Sequence, residues 1–190
     1  MLAQNIRHGT SDGLRSGNGV ISVLPYVEIE GQRTVSDEFV REIWRNMLKD
    51  RSAHIVFQAK EVKSEEEMIR YLKDPMNMVV FVFVDSQPAG VAWMNGIRNN
   101  YGNGHFCFLS KSWGLCTEKM AKEVLDYWFS LALNGKPIFE VIIGKIPDWN
   151  RKAISFIKKL GFVELGVIPK IEQGHGVSIN YLERETWAKR

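Results

Sequence analysis

The chain has 190 residues, 45% hydrophobic and 25% charged, which suits one compact domain with a sizeable core rather than a disordered or fibrous chain. Its 25 Lys and Arg against 22 Asp and Glu leave a formal net charge of +3, scattered along the chain, which argues against nucleic-acid binding and leaves small anionic ligands open. The two cysteines, Cys107 and Cys116, have no His-x-His or Cys-x-x-Cys spacing near them, so neither a disulfide framework nor a metal site is expected, and a reducing cytoplasm fits best.

Residues 1–19 contain four glycines and no period, so they read as a loose arm ahead of a domain spanning residues 20–190. Gln4, Arg7 and His8 interrupt any signal-peptide pattern, and the apolar runs elsewhere are strand-length, so no membrane contact is expected. Residues 20–24 and 26–29 are extended in character. Ser36 then offers an N-cap, with Asp37 and Glu38 in the first turn and Val40, Ile43, Trp44 and Met47 at helical spacing. After a short apolar stretch at 54–57, Ser64 and Glu67 form a capping box that opens a helix carrying Met68, Ile69 and Leu72 and closed by Pro75.

Strands at 78–84 and 90–94 are joined by a turn at 86–88 as an antiparallel pair. A strand at 105–109 follows a Gly/Asn-rich loop at 99–104. The chain then alternates: helix 117–133, strand 138–143, helix 149–160, strand 162–167, and a last strand 177–182 after the turn at 173–176. Such alternation demands parallel crossovers. The expected class is α/β (α+β), a mixed sheet with helices on both faces.

Between the strand at 105–109 and the next helix lie Ser110, Lys111, Ser112 and Trp113, then Gly114, Leu115, Cys116 and Thr117. A strand-to-helix turn of this kind presents unpaired N–H groups and the positive end of a helix dipole to a phosphate, with Lys111 as a nearby cation. The spacing is neither a Walker loop nor a dinucleotide fingerprint. A merely structural turn is the competing reading. Downstream, Asp148 can cap a helix whose last turn holds Lys158 and Lys159, with Gly161 as its left-handed C-cap and Phe162 re-entering the sheet.

The order Lys111-x-x-Gly114-x-Cys116 resembles the acetyl-CoA loop of the GNAT (GCN5-related N-acetyltransferase) superfamily, with Lys for the usual Gln or Arg and Cys for the last small residue. The run 150–162, beginning Asn150-Arg151-Lys152-Ala153 and ending Leu160-Gly161-Phe162, is similar to the family's N-x-x-A-x-x-[LF]-Y-x-K-x-G-F segment. The resemblance covers about residues 20–183. It implies a mostly antiparallel sheet with a parallel pair at the cofactor cleft, acyl-CoA, commonly acetyl-CoA, as co-substrate, and an amine acceptor on a small molecule, peptide or protein. It also implies that the loop amides from Lys111 to Thr117 receive the pyrophosphate, that Asn150 reaches the pantetheine arm, that Leu109, Ser110, Ala153 and Phe156 border the cofactor, and that a backbone N–H near 108–110 holds the oxyanion.

In many members a Tyr stands where this chain has Ile157, and isoleucine cannot protonate a departing thiolate. For the base, His105 titrates near neutrality; Tyr101, Tyr181, Glu140 and His175 are further candidates. Cys116 reads as the small residue of the loop and Cys107 as core, against a nucleophilic alternative that lacks a His-Asp partner. Three readings stand: an N-acyltransferase, a GNAT-fold module that binds acyl-CoA or a protein without chemistry, and a nucleotide-binding or structural domain. The acceptor is not named by any pattern, and a homodimer stays open.

Overall fold

The computed structural model describes residues 19–57, 62–114, 116–172 and 174–190. All but the last residue of the expected arm, and Leu115 and Gln173, lie outside them. Strands β1 (Ile21–Pro25), β4 (Met78–Val84), β5 (Gln87–Arg98), β6 (Tyr101–Phe108), β9 (Val141–Pro147), β10 (Val163–Glu172) and β11 (His175–Glu183) form one seven-stranded sheet in the order β1-β4-β5-β6-β9-β11-β10. Neighbours are antiparallel except β6 and β9, which run parallel. The remaining strands, β2 (Glu28–Ile29) with β3 (Gln32–Arg33) and β7 (Ala132–Leu133) with β8 (Lys136–Pro137), make two small hairpins.

The unbroken apolar run of β4 has a simple cause, since the sheet is covered on both faces and alternate residues serve different cores. Val80, Val82 and Val84 pack with Met120, Val124 and Trp128 of α4 (Thr117–Ser130), while Val79 and Phe81 pack with Ile43 and Met47 of α1 (Asp37–Lys49) and Met68 of α3 (Glu65–Lys73). Short α2 (Ser52–Val56) lies on the α1–α3 face, and α5 (Arg151–Lys159) on the α4 face; α6 (Arg184–Ala188) ends the chain. The stretch expected as merely apolar at 54–57 is therefore mostly helical.

The caps follow the chemistry of their sequences. Ser36 Oγ accepts from Phe39 N at 3.1 Å, and Ser64 Oγ accepts from Glu67 N at 3.2 Å, whereas Glu67 returns its carboxylate to Lys63 N at 2.6 Å, one residue before the cap. At the end of α5, Gly161 (φ +89°) lets Phe162 N reach Ile157 O at 3.1 Å and Gly161 N reach Lys158 O at 3.0 Å, a pair that satisfies carbonyls left over by the helix.

Several expected boundaries move. The β4–β5 turn is Asp85-Ser86, both at positive φ (50° and 64°), the geometry that matches the twist of a two-residue hairpin, so Gln87 and Pro88 are strand. The loop expected at 99–104 shrinks to Asn99-Asn100, and Gly102, Asn103 and Gly104 lie inside β6. Helix α4 stops at Ser130 and gives way to the β7–β8 hairpin, and β9 starts at Val141 rather than 138. Asn150, not Asp148, caps α5: its Oδ1 accepts from Ala153 N at 3.2 Å.

Candidate functional site

Strands β6 and β9 pair only through Tyr101–Val141, Gly102–Ile142 and Asn103–Ile143. Beyond that point each follows its other neighbour, β6 staying on β5 and β9 on β11, and the sheet opens into a wedge. A cavity of about 810 Å³ fills the wedge and passes from one face of the sheet to the other. Thr117, Asn150, Ala153, Phe156 and Ile157 line it on the α4–α5 side; Ser52, Ile55 and Val56 of α2 line it on the other, with Ile168, Ile171 and Ile179 from the β10–β11 hairpin.

The polarity of the β6 backbone follows from strand alternation. Leu109 N donates to Ala89 O at 2.8 Å, toward β5, so residues two apart from it do likewise and the even-numbered residues aim their peptide groups the other way. Phe106 and Phe108 therefore direct N–H groups into the open wedge, where β9 no longer receives them. The Phe108 carbonyl already accepts from Trp113 Nε1 at 2.8 Å, which folds the indole back over the strand end and into the cavity wall. The Phe108 N–H is thus the backbone donor at the strand end that faces the cavity. Leu109 and Ser110, the other two residues at that end, spend theirs on Ala89 O and Asp50 Oδ2.

The loop differs from the expectation of open amides. After Leu109, residues Ser110–Ser112 form one turn of 3₁₀ helix. Ser110 N donates to Asp50 Oδ2 at 2.7 Å, Ser112 N to Leu109 O at 2.8 Å and Trp113 N to Ser110 O at 3.1 Å. Gly114 (φ +106°) donates to Thr117 Oγ1 at 2.9 Å, and Thr117 N to Gly114 O at 3.2 Å. The amides of Lys111, Cys116 and Glu118 have no partner among the described residues, and Cys116 is the N-cap of α4 with no side-chain cap bond. Of the residues expected at the cofactor, Trp113, Thr117, Asn150, Ala153 and Phe156 line the cavity; Ser110, Lys111, Ser112, Gly114 and Cys116 sit outside its lining, at its α4 end. Leu109 is a correction: it is 1% exposed and packs into the α1–α3 core.

His105 lies in the middle of β6, not at a strand start, and lines the cavity from the α1–α3 side. Its ring stacks on Trp93 at 5.1 Å and 7°, and Trp93 stacks in turn on Phe57 at 5.5 Å. Asn95 Nδ2 and Trp93 Nε1 both donate to Tyr71 Oη, at 3.2 and 3.1 Å. With the Asn95 amide in this orientation, Oδ1 faces His105 Nε2 at 3.1 Å, which puts the ring proton on Nε2 and leaves Nδ1 as the basic nitrogen. Burial, with Lys145 adding a like charge, pushes the imidazole down to about 4, so it is neutral at pH 7. Tyr101, Tyr181, Glu140 and His175 lie outside the lining. Cys107 is buried, its thiol pushed up to about 12 by burial, with only a 3.5 Å contact to Ser52 Oγ, which suits a core residue and not a nucleophile.

Sequence reasoning missed the aliphatic wall and Lys145. Ile168 and Ile171 follow the expected end of their strand, and the α2 residues carry no motif. Among the described residues no group of three or more His, Cys, Asp or Glu could hold a metal, and no helix is long and apolar enough to cross a membrane.

No protein-family model matches the sequence, and no curated protein matches it. Solved structures do match in fold. A spermidine N-acetyltransferase from Vibrio cholerae, in complex with CoA and spermine, superposes with a TM-score of 0.68 at 16% identity over 88% of this chain and 98% of that one. RimL, a ribosomal L7/L12 alpha-N-protein acetyltransferase in complex with CoA, gives 0.65 at 14% identity over 80% and 92%. The microcin C7 self-immunity acetyltransferase MccE, in complex with acetyl-CoA and AMP, gives 0.65 at 14% over 88% and 94%.

Proposed function

We propose that this chain, which has the fold of the GNAT acetyltransferases, is an acyl-CoA-dependent N-acyltransferase. The observation that carries the reading is the wedge between β6 and β9: a through-sheet cavity of about 810 Å³ with outward-facing amides on one strand and the N-termini of α4 and α5 at its mouth. Three neighbours in fold hold CoA or acetyl-CoA.

In this reading the pantetheine arm lies along β6, beside Asn150, Ala153 and Phe156. The pyrophosphate takes the strand-to-helix loop before α4, where the amides of Lys111 and Cys116, without a partner among the described residues, and the dipole of α4 favour negative charge. Partnered loop amides can exchange a weak internal acceptor for a charged phosphate oxygen, which is the stronger bond. The acceptor approaches from the α1–α3 face. Its neutral nitrogen attacks the thioester carbonyl carbon; the C–N bond forms, the C–S bond breaks, and the Phe108 N–H holds the oxyanion. The proton shed by the nitrogen passes through His105 Nδ1 or water to the CoA sulfur.

A second reading has a specific observation in its favour. Ile157 is 5% exposed and lies at the cleft wall, where its Cδ1 is 3.6 Å from the point a Gly144 side chain would occupy, so the family's usual acid is replaced by a packed hydrocarbon. A module that binds acyl-CoA without turnover would tolerate that. Release of free CoA thiol from acetyl-CoA in the presence of a panel of primary amines separates the two. Amine-dependent release supports the enzyme, and tight acetyl-CoA binding with no release across the panel supports the module.

A further inference from the structure

The α1–α3 half of the cavity is aliphatic, walled by Ile55 and Val56 of α2 and by Ile168, Ile171 and Ile179 of the hairpin. No Asp or Glu lines the cavity among the described residues; its charged side chains are Lys145 and Lys152. Lys152 belongs to α5, on the coenzyme side. Lys145 stands on the opposite face: the neighbouring Gly144 turns toward Ile157 and Phe162 of the α5 side, and Lys145 opposes Ile179 across the β9–β11 ladder. Lys145 makes no ion pair among the described residues, and its charge is felt at the His105 ring across the wedge.

A polycationic acceptor entering this half would leave water to meet a lysine and no carboxylate, an unfavourable exchange. An aliphatic body would instead bury against the isoleucine wall, and an anionic group on it would find the unpaired ammonium. Resting on the acyl-transfer reading above, we propose that the acceptor is an apolar primary amine carrying a carboxylate, of the α-amino-acid type, with its side chain against α2 and the β10–β11 hairpin and its carboxylate on Lys145 Nζ. His105, neutral and adjacent, leaves the reacting nitrogen uncrowded by a second cation.

The test measures thiol release from acetyl-CoA with leucine, with isopentylamine, which is leucine without its carboxylate, and with spermidine, each rate referred to the neutral fraction of the amine. Wild type is expected to favour leucine over isopentylamine by about tenfold or more in kcat/KM, as a charge-assisted contact supplies, and to use spermidine least. Lys145→Met should collapse the leucine preference through KM, with N-acetylleucine identified by mass as the wild-type product. Equal use of leucine and isopentylamine by the wild type, or spermidine as the best acceptor, overturns the proposal and leaves acyl transfer standing. A leucine preference that survives Lys145→Met overturns the role of Lys145. Release with none of the three amines, by a protein that binds acetyl-CoA, overturns this proposal, and the wider amine panel then decides acyl transfer separately.

Discussion

Burying a neutral imidazole in the wedge gives the fold a pH dependence that can be isolated from the rest of the chain. His105 is held down to about 4 from an ordinary 6.5, so above pH 6.5 the ring is neutral in both folded and unfolded chains and contributes no slope. As pH falls from 6.5 toward 4, the unfolded chain takes up a proton that the folded chain refuses, and stability is lost; below 4 both forms are protonated and the loss levels off. At about 1.4 kcal/mol per pH unit, the window amounts to about 3 kcal/mol. His105→Gln keeps a polar side chain at Asn95 and removes the titration. Urea unfolding of both proteins at pH 7.5, 5.5 and 4.5 should show the wild type losing about 3 kcal/mol more than the variant between the first and last pH. Parallel losses in the two proteins would refute the burial of a neutral ring at this position.

Asn150→Ala removes the acceptor of Ala153 N and should cost about 1 kcal/mol, or roughly 2–4 °C in Tm for a domain of this size, together with a measurable rise in the acetyl-CoA Kd by fluorescence titration. Gly114→Trp forces a side chain onto a residue at φ +106°, which L-residues rarely adopt, and sets a ring against the phosphate approach; acetyl-CoA binding should be lost while far-UV circular dichroism is retained. Ile157→Tyr offers a phenol at the cleft wall. General acids contribute roughly 10²–10⁴-fold, so faster amine-dependent thiol release is expected, and an unchanged rate would mean that the thiolate departs without need of an acid at position 157.

The helix caps at Ser36 and Ser64, the C-cap at Gly161 and the strand β4 were all legible in the sequence, because each is a local pattern with a local physical cause. The start of β6 was not. Gly102 and Gly104 read as loop residues, yet a side chain at Gly102 would meet Met94 Cγ at 2.7 Å and one at Gly104 would meet Ile142 Cγ2 at 2.8 Å: these glycines answer close packing, not a turn. The misplaced start of β9 has a similar origin. Ile138 and Phe139 have strand-like side chains but are consumed in packing against the α4 core, Phe139 with no exposure, before the ladder begins. The cavity's aliphatic wall brings α2 against a hairpin more than a hundred residues later, and only the sheet order, which no local pattern encodes, puts them together.

The most direct test of the account is calorimetric titration of acetyl-CoA into the wild type and into Ala153→Trp, whose indole would fill the wedge from the first turn of α5 without disturbing the strand pairing. The account predicts saturable one-site binding by the wild type and its loss in a variant that keeps its thermal transition. No binding by a folded wild type, or equal binding by the variant, would contradict the assignment of the β6–β9 wedge to acyl-CoA.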